Sequence, residues 1–147
     1  MKNLVLGGAS GYNWDQLKYW INSIKMTGFD GDIALVGTNY TKETIDKLVK
    51  EGVILKLYGK LDNSGNVTSD PNGAPHVQRF FQLWDFLTTT KEEYGYVVTT
   101  DTRDVVFQTN PFDWLEEYIL GSNIVASSEG MMYKDEPWGA QNLEQTF

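Results

Sequence analysis

From Tyr96 to Phe112 the chain reads YVVTTDTRDVVFQTNPF. A β-prone run passes directly into Asp101 and Asp104, with Arg103 between them. A carboxylate at the end of a buried strand is costly unless positive charge compensates it. Two chemistries meet that need. Asp101 and Asp104 can hold a hard divalent cation, Mg²⁺ or Mn²⁺, which prefers oxygen ligands and bridges to phosphates. Alternatively, Arg103 neutralises them in an ion pair, an arrangement often worth little. Upstream, Arg79 in HVQRFF stands beside Phe80 and Phe81. It either snorkels over an aromatic face or clamps a phosphate or carboxylate with its planar fork.

A second candidate is GGASGY, Gly7 to Tyr12. Glycines there let a backbone approach a diphosphate, which makes Gly8 and Ser10 candidate binding positions and Tyr12 a ring to stack on a base. The full G-x-G-x-x-G spacing is absent, and a strand-to-helix turn that needs a permissive backbone explains the run equally well.

The elements that must position these residues follow from periodicity. Residues 3–6 form a short apolar strand that ends in the glycine run. From Asn13, the residues Trp14, Leu17, Ile21 and Ile24 fall on one helical face, with Gly28 as the stop. DIALVG is the next strand, TKETIDKLVKEG a helix capped by Thr41 with Gly52 past its end, and VILKLYG a third strand. A polar, Gly- and Asn-rich loop covers 59–76. VQRFFQLWDFLTTT is then a helix, YVVTT a strand, VVFQ a short strand, PFDWLEEYIL a Pro-started helix and IVASSEG a last strand. Residues 130–147 read as an irregular stub. Alternating strands and helices predict an α/β domain over 1–147, with a Rossmann-like, mostly parallel sheet and flanking helices.

Composition narrows the functions. At 147 residues, with 41% hydrophobic and 14% aromatic content, the chain can build a core. Its net charge of −8 argues against a nucleic-acid partner, but not against a nucleotide whose charge a cation offsets. With no cysteine there is no disulfide or thiolate chemistry, and a single histidine leaves little for a multi-histidine metal site. The apolar run in MKNLVLGGAS is too short for a signal-peptide core or a membrane span, so the expected location is the cytoplasm.

The order RFFQLWDFL…YGYVVTTDTRDVVFQTNPFDWL resembles the donor-binding half of a GT-A glycosyltransferase, and WINSIKMTGFDGDIALVG resembles its helix ending in Gly-Phe before the second strand. In that family a Rossmann-like half binds a nucleotide sugar, and an arginine-bearing helix leads to a strand ending in Asp-x-Asp. Those carboxylates hold Mn²⁺ or Mg²⁺ against the donor diphosphate. The resemblance implies transfer of a hexosyl group from a nucleoside-diphosphate sugar, such as a UDP-sugar, to a hydroxyl of a glycan or other acceptor. Asp101 matches the first Asp, whereas Arg103 stands at the second and an acid returns only at Asp104. The metal role therefore falls to Asp101 with Asp104, or Arg103 replaces the cation. Arg79 and the first turn would hold the diphosphate. The family usually carries a further acceptor half, so the chain is expected to be a donor-binding domain with a short acceptor region. Glu129, Asp135 and Glu136 are its candidate catalytic carboxylates, and Trp138 is a candidate sugar platform.

Two other classes use the same residues. One is a non-catalytic carbohydrate- or nucleotide-binding module, suited to five Trp and eight Tyr. The other is an NAD(P)-dependent oxidoreductase suggested by LVLGGASG, for which the third glycine and a Tyr-x-x-x-Lys pair are missing.

Overall fold

A computed structural model describes residues 1–69, 75–119, 121, 123–126, 130 and 132–146. The chain divides into two compact units, Met1–Leu115 and Glu116–Phe147.

The first unit is built on a four-stranded, all-parallel sheet of β1 (Lys2–Ser10), β2 (Asp32–Thr38), β3 (Ile54–Leu57) and β6 (Tyr94–Thr100), in the order β3-β2-β1-β6. Helices α1 (Trp14–Met26) and α2 (Lys42–Lys50) connect the first three strands, and α3 (Pro75–Thr89) precedes β6. This sheet flanked by helices is compatible with a Rossmann-like fold.

Local chemistry explains the helix limits. Asn13 accepts from the Gln16 amide while the Gln16 side chain accepts from the Asn13 amide, a reciprocal cap that satisfies two orphan donors. Thr41 caps α2 through the Thr44 amide, and Gly28 and Gly52 both take positive φ of 78° just past the helices.

Both faces of the sheet are covered. Val5, Ile33 and Leu35 pack with Leu17, Trp20, Ile21 and Ile24 of α1, Leu48 of α2 and Phe112 of α4 (Pro111–Tyr118). Phe29 stacks on Phe112 with centroids 5.0 Å apart. Leu4, Leu6, Ala34 and Val36 face Phe86 and Leu83 of α3. Burial on both sides is why β1 and β2 read as continuous apolar runs rather than alternating ones.

β1 extends well past the residues 3–6 expected, through both glycines to Ser10. Gly7 and Gly8 are therefore strand residues and not the turn. A Cβ on Gly7 would run into the Thr102 methyl, and one on Gly8 would lie 3.2 Å from Arg79 Cβ. The turn itself begins at Gly11, with φ of 72°.

Three expected elements differ. VVFQ, residues 105–108, is not a strand. The Phe107 amide instead donates to Ser23 Oγ of α1 at 3.0 Å, and Val105 and Phe107 pack on the α1-side core, so the apolar alternation serves packing rather than a ladder. Residues 124–126 of IVASSEG are likewise outside any strand, and 127–129 lie outside the described residues. The polar loop 59–76 holds a small antiparallel hairpin, β4 (Lys60–Leu61) and β5 (Val67–Thr68), whose turn is tied by Asp62 accepting from the Ser64 and Asn66 amides.

In the second unit, residues 130–147 are not irregular as expected. They contain a 3-10 turn, Tyr133–Asp135, and helix α5 (Pro137–Thr146). Pro137 opens α5 where a missing N–H costs nothing, and Glu136 Oε2 accepts from the Gly139 amide at 2.7 Å. α5 lacks a strong apolar stripe, which is why periodicity did not reveal it.

Because Thr102 fills the space above Gly7, Gly7→Val is expected to lower stability by about 1–3 kcal/mol through overpacking. A urea titration should show an earlier midpoint with unchanged slope.

Candidate functional site

After β3, on the far side of β2, the chain returns to place β6 on the other side of β1. The strand order therefore reverses at β1. Open α/β sheets bind ligands in the crevice beyond the carboxyl ends of the strands at such a reversal. A cleft of about 350 Å³ lies there.

Gly8, Ser10, Tyr12, Arg79, Asp101, Arg103 and Asp104 all line it. They arrive from three elements: the end of β1 and its turn, the first turns of α3, and the turn after β6. Arg79 Nη1 and Asp101 Oδ1 form an ion pair, both side chains partly exposed. Thus Arg79, 22 residues upstream, meets the first carboxylate. Arg103 points elsewhere, its guanidinium 5.8 Å from the Tyr12 ring centroid. Asp104 is exposed, and among the described residues it enters no salt bridge. The cleft therefore presents two cations and two carboxylates, with one of each in mutual contact.

Thr102 sits between them, 2% exposed, with its methyl over Gly7 and its hydroxyl without a hydrogen-bond partner among the described residues. Thr100, the last residue of β6, accepts from Trp20 Nε1 at 2.9 Å, which anchors the acidic turn to α1. Ser10 Oγ and Thr38 Oγ1 lie 2.7 Å apart and tie the ends of β1 and β2 together. Thr38, Gln78 and Gln82 also line the cleft and were not singled out from sequence. The helical spacing of Gln78 and Gln82 about Arg79 was the available signal.

Among the described residues no group of three or more His, Cys, Asp or Glu side chains could hold a metal ion. Asp101 and Asp104 offer carboxylate oxygens from one turn. That donor set suits Mg²⁺ or Mn²⁺ only if ligand phosphates and water complete the coordination, which is a usual arrangement for Mg²⁺. Of the candidate catalytic carboxylates, Glu129 lies outside the described residues. Asp135 ends the 3-10 turn of the second unit, and Glu136 caps α5. Trp138 is exposed in the same unit.

A second cleft, of about 340 Å³, lies along α3. It shares Thr38, Gln78 and Gln82 with the first and adds Tyr58, Phe81, Trp84 and Asp85. Tyr58 donates to Asp85 Oδ2 at 2.5 Å, and Lys56 Nζ lies 2.6 Å from the same oxygen. Lys56, and then Tyr58, hold the Asp85 carboxyl below its ordinary value of 3.8. Burial, and then the Asp85 contact, push the Tyr58 phenol well above its ordinary value.

No family model, curated protein or solved structure matches the chain.

Two outcomes follow from this geometry. The Arg79–Asp101 pair is partly exposed, so Asp101→Ala should change stability by less than about 1 kcal/mol. The Asp85 carboxyl is lowered on folding, so its contribution is complete above pH 3.8 and lost as pH falls through the folded value. The difference in Tm between the parent chain and Asp85→Asn should accordingly be steady near neutral pH and shrink below 3.8.

Proposed function

We propose that the first unit is the donor-binding part of a GT-A-type glycosyltransferase. In this reading the chain transfers a hexosyl group from a nucleoside-diphosphate sugar to a hydroxyl of a glycan or other acceptor. The observation that carries the proposal is the convergence of Arg79, Arg103, Asp101 and Asp104 on one cleft at the reversal of strand order.

A diphosphate leaving group needs positive charge where negative charge develops. Arg79 supplies a planar donor fork from α3, and Arg103 supplies a second cation beside Tyr12. These charges are needed locally because the chain as a whole is strongly acidic. Mn²⁺ or Mg²⁺ bound by Asp101 and Asp104 would add charge stabilisation at the diphosphate. Tyr12 offers its ring to the base. In transfer, the bond from the anomeric carbon to the diphosphate oxygen breaks, and its electron pair leaves with the diphosphate. The acceptor oxygen bonds to that carbon and loses its proton, to a carboxylate if the configuration inverts.

A non-catalytic binding module is the second reading, favoured by the exposed aromatic cleft beside the charged one. It predicts ligand binding without turnover.

The test is a thermal-shift panel of UDP-, GDP- and dTDP-sugars and NAD⁺, each with Mn²⁺ and with EDTA. A ligand at about a hundred times its Kd adds about 2.7 kcal/mol, an easily read shift. A Mn²⁺-dependent shift that Asp101→Ala abolishes is expected. A shift that survives EDTA and is lost in Arg103→Ala assigns the charge to the guanidinium. Nucleoside diphosphate released only when an acceptor is present separates the enzyme from the binder. No shift with any sugar nucleotide overturns the proposal.

A further inference from the structure

Three of the four Phe and Trp residues of α3, Phe80, Phe81 and Trp84, are exposed, which a simple core helix does not require. Leu83 and Phe86 face the sheet, yet Phe81 is 70% and Trp84 65% exposed, one turn apart and both lining the second cleft. Large exposed rings in one place mark a contact surface rather than incidental exposure. Side chains that hydrogen-bond lie among these rings: Gln78, Gln82 and Asp85 on the same helix, and Thr38 at the end of β2.

The charge pattern restricts the occupant. Among the described residues no Lys or Arg lines this cleft, whereas two Arg line the neighbouring one. Asp85 does line it, its carboxylate held by Lys56 and Tyr58. Because that carboxylate is already paired with Lys56, the cleft offers no unpaired counter-charge to a phosphate or to a cation. The occupant is therefore uncharged, with an apolar face for the rings and a polar rim for the amides. A hexopyranose meets both requirements, since its C–H face is apolar and its hydroxyls project around the edge.

We infer that the cleft between Tyr58, Phe81 and Trp84 is a binding site for a neutral glycan, continuous with the charged cleft through Thr38, Gln78 and Gln82. The site deepens the glycosyl-transfer reading by naming a sugar acceptor, and it rests on that reading only for the donor placed next door. Binding of the glycan itself needs no nucleotide.

The experiment uses the full chain with neutral tetrasaccharides of gluco, manno and galacto configuration, and separately UDP, followed by saturation-transfer NMR and titration. Trp84→Ala and Phe81→Ala remove mostly exposed rings, so the variants should keep the parent's far-UV spectrum. At least one tetrasaccharide should bind saturably, with affinity weakened about tenfold or more in Trp84→Ala and unchanged in Arg79→Ala. Tetrasaccharide binding without any UDP binding would still support this site, while counting against the donor cleft. Failure of all three tetrasaccharides to bind overturns the inference. So does loss of UDP binding in Trp84→Ala with sugar binding intact, because the rings would then hold the base.

Discussion

The absence of side chains at Gly7 and Gly8 is the constraint on which the rest of the site depends. Successive strand residues point to opposite faces. On one face Thr102 closes over Gly7, where Trp20 and Leu35 also approach. On the other, α3 brings Arg79 against Gly8. The end of β1 is thereby covered from both sides at once, which draws the turn after β6 and the first turns of α3 to the same point. A side chain at Gly7 would displace Thr102 and with it the acidic turn, and one at Gly8 would crowd Arg79.

Electrostatics then act on what this packing assembles. The acidic turn after β6 is exposed at its carboxylates but anchored beneath, through Thr102 and the Trp20–Thr100 hydrogen bond. A buried indole N–H needs a partner, and Thr100 supplies it at the last residue of β6. Arg79 reaches that turn from α3 and pairs with Asp101, whereas Arg103, within the turn, lies over the Tyr12 ring. The same helix that delivers Arg79 turns Phe81 and Trp84 outward, so a charged and an aromatic cleft share a wall. Function in both readings depends on this common helix.

Much of the architecture was legible because the forces behind it are local. The cap at Thr41, glycine stops at Gly28 and Gly52, and the apolar periodicity of α1 all involve residues a few positions apart. The misreadings have a common origin. VVFQ has the alternation of a strand, yet a side chain of α1 takes the Phe107 amide that a ladder would have used. The hairpin of β4 and β5 is held by Asp62 and by bridging of Tyr40 to Val67, interactions that no hydrophobic pattern reports. α5 begins at a proline with a Glu136 cap and little amphipathicity, so its signal was one of capping alone.

The sequence by itself determined the alternation of strands and helices from β1 to β3, the limits of α1 and α2, the exclusion of cysteine chemistry and the residue types at the acidic turn. These depend on composition and on contacts within one or two turns of chain. Only the tertiary structure decided that Arg79 and not Arg103 pairs with Asp101, that GG is a packing surface of β1 and not its turn, and that Gln78 and Gln82 join two clefts. Those outcomes follow from the order β3-β2-β1-β6. Strand order is set by which apolar faces bury best across the whole sheet, a long-range balance that no short stretch of residues encodes.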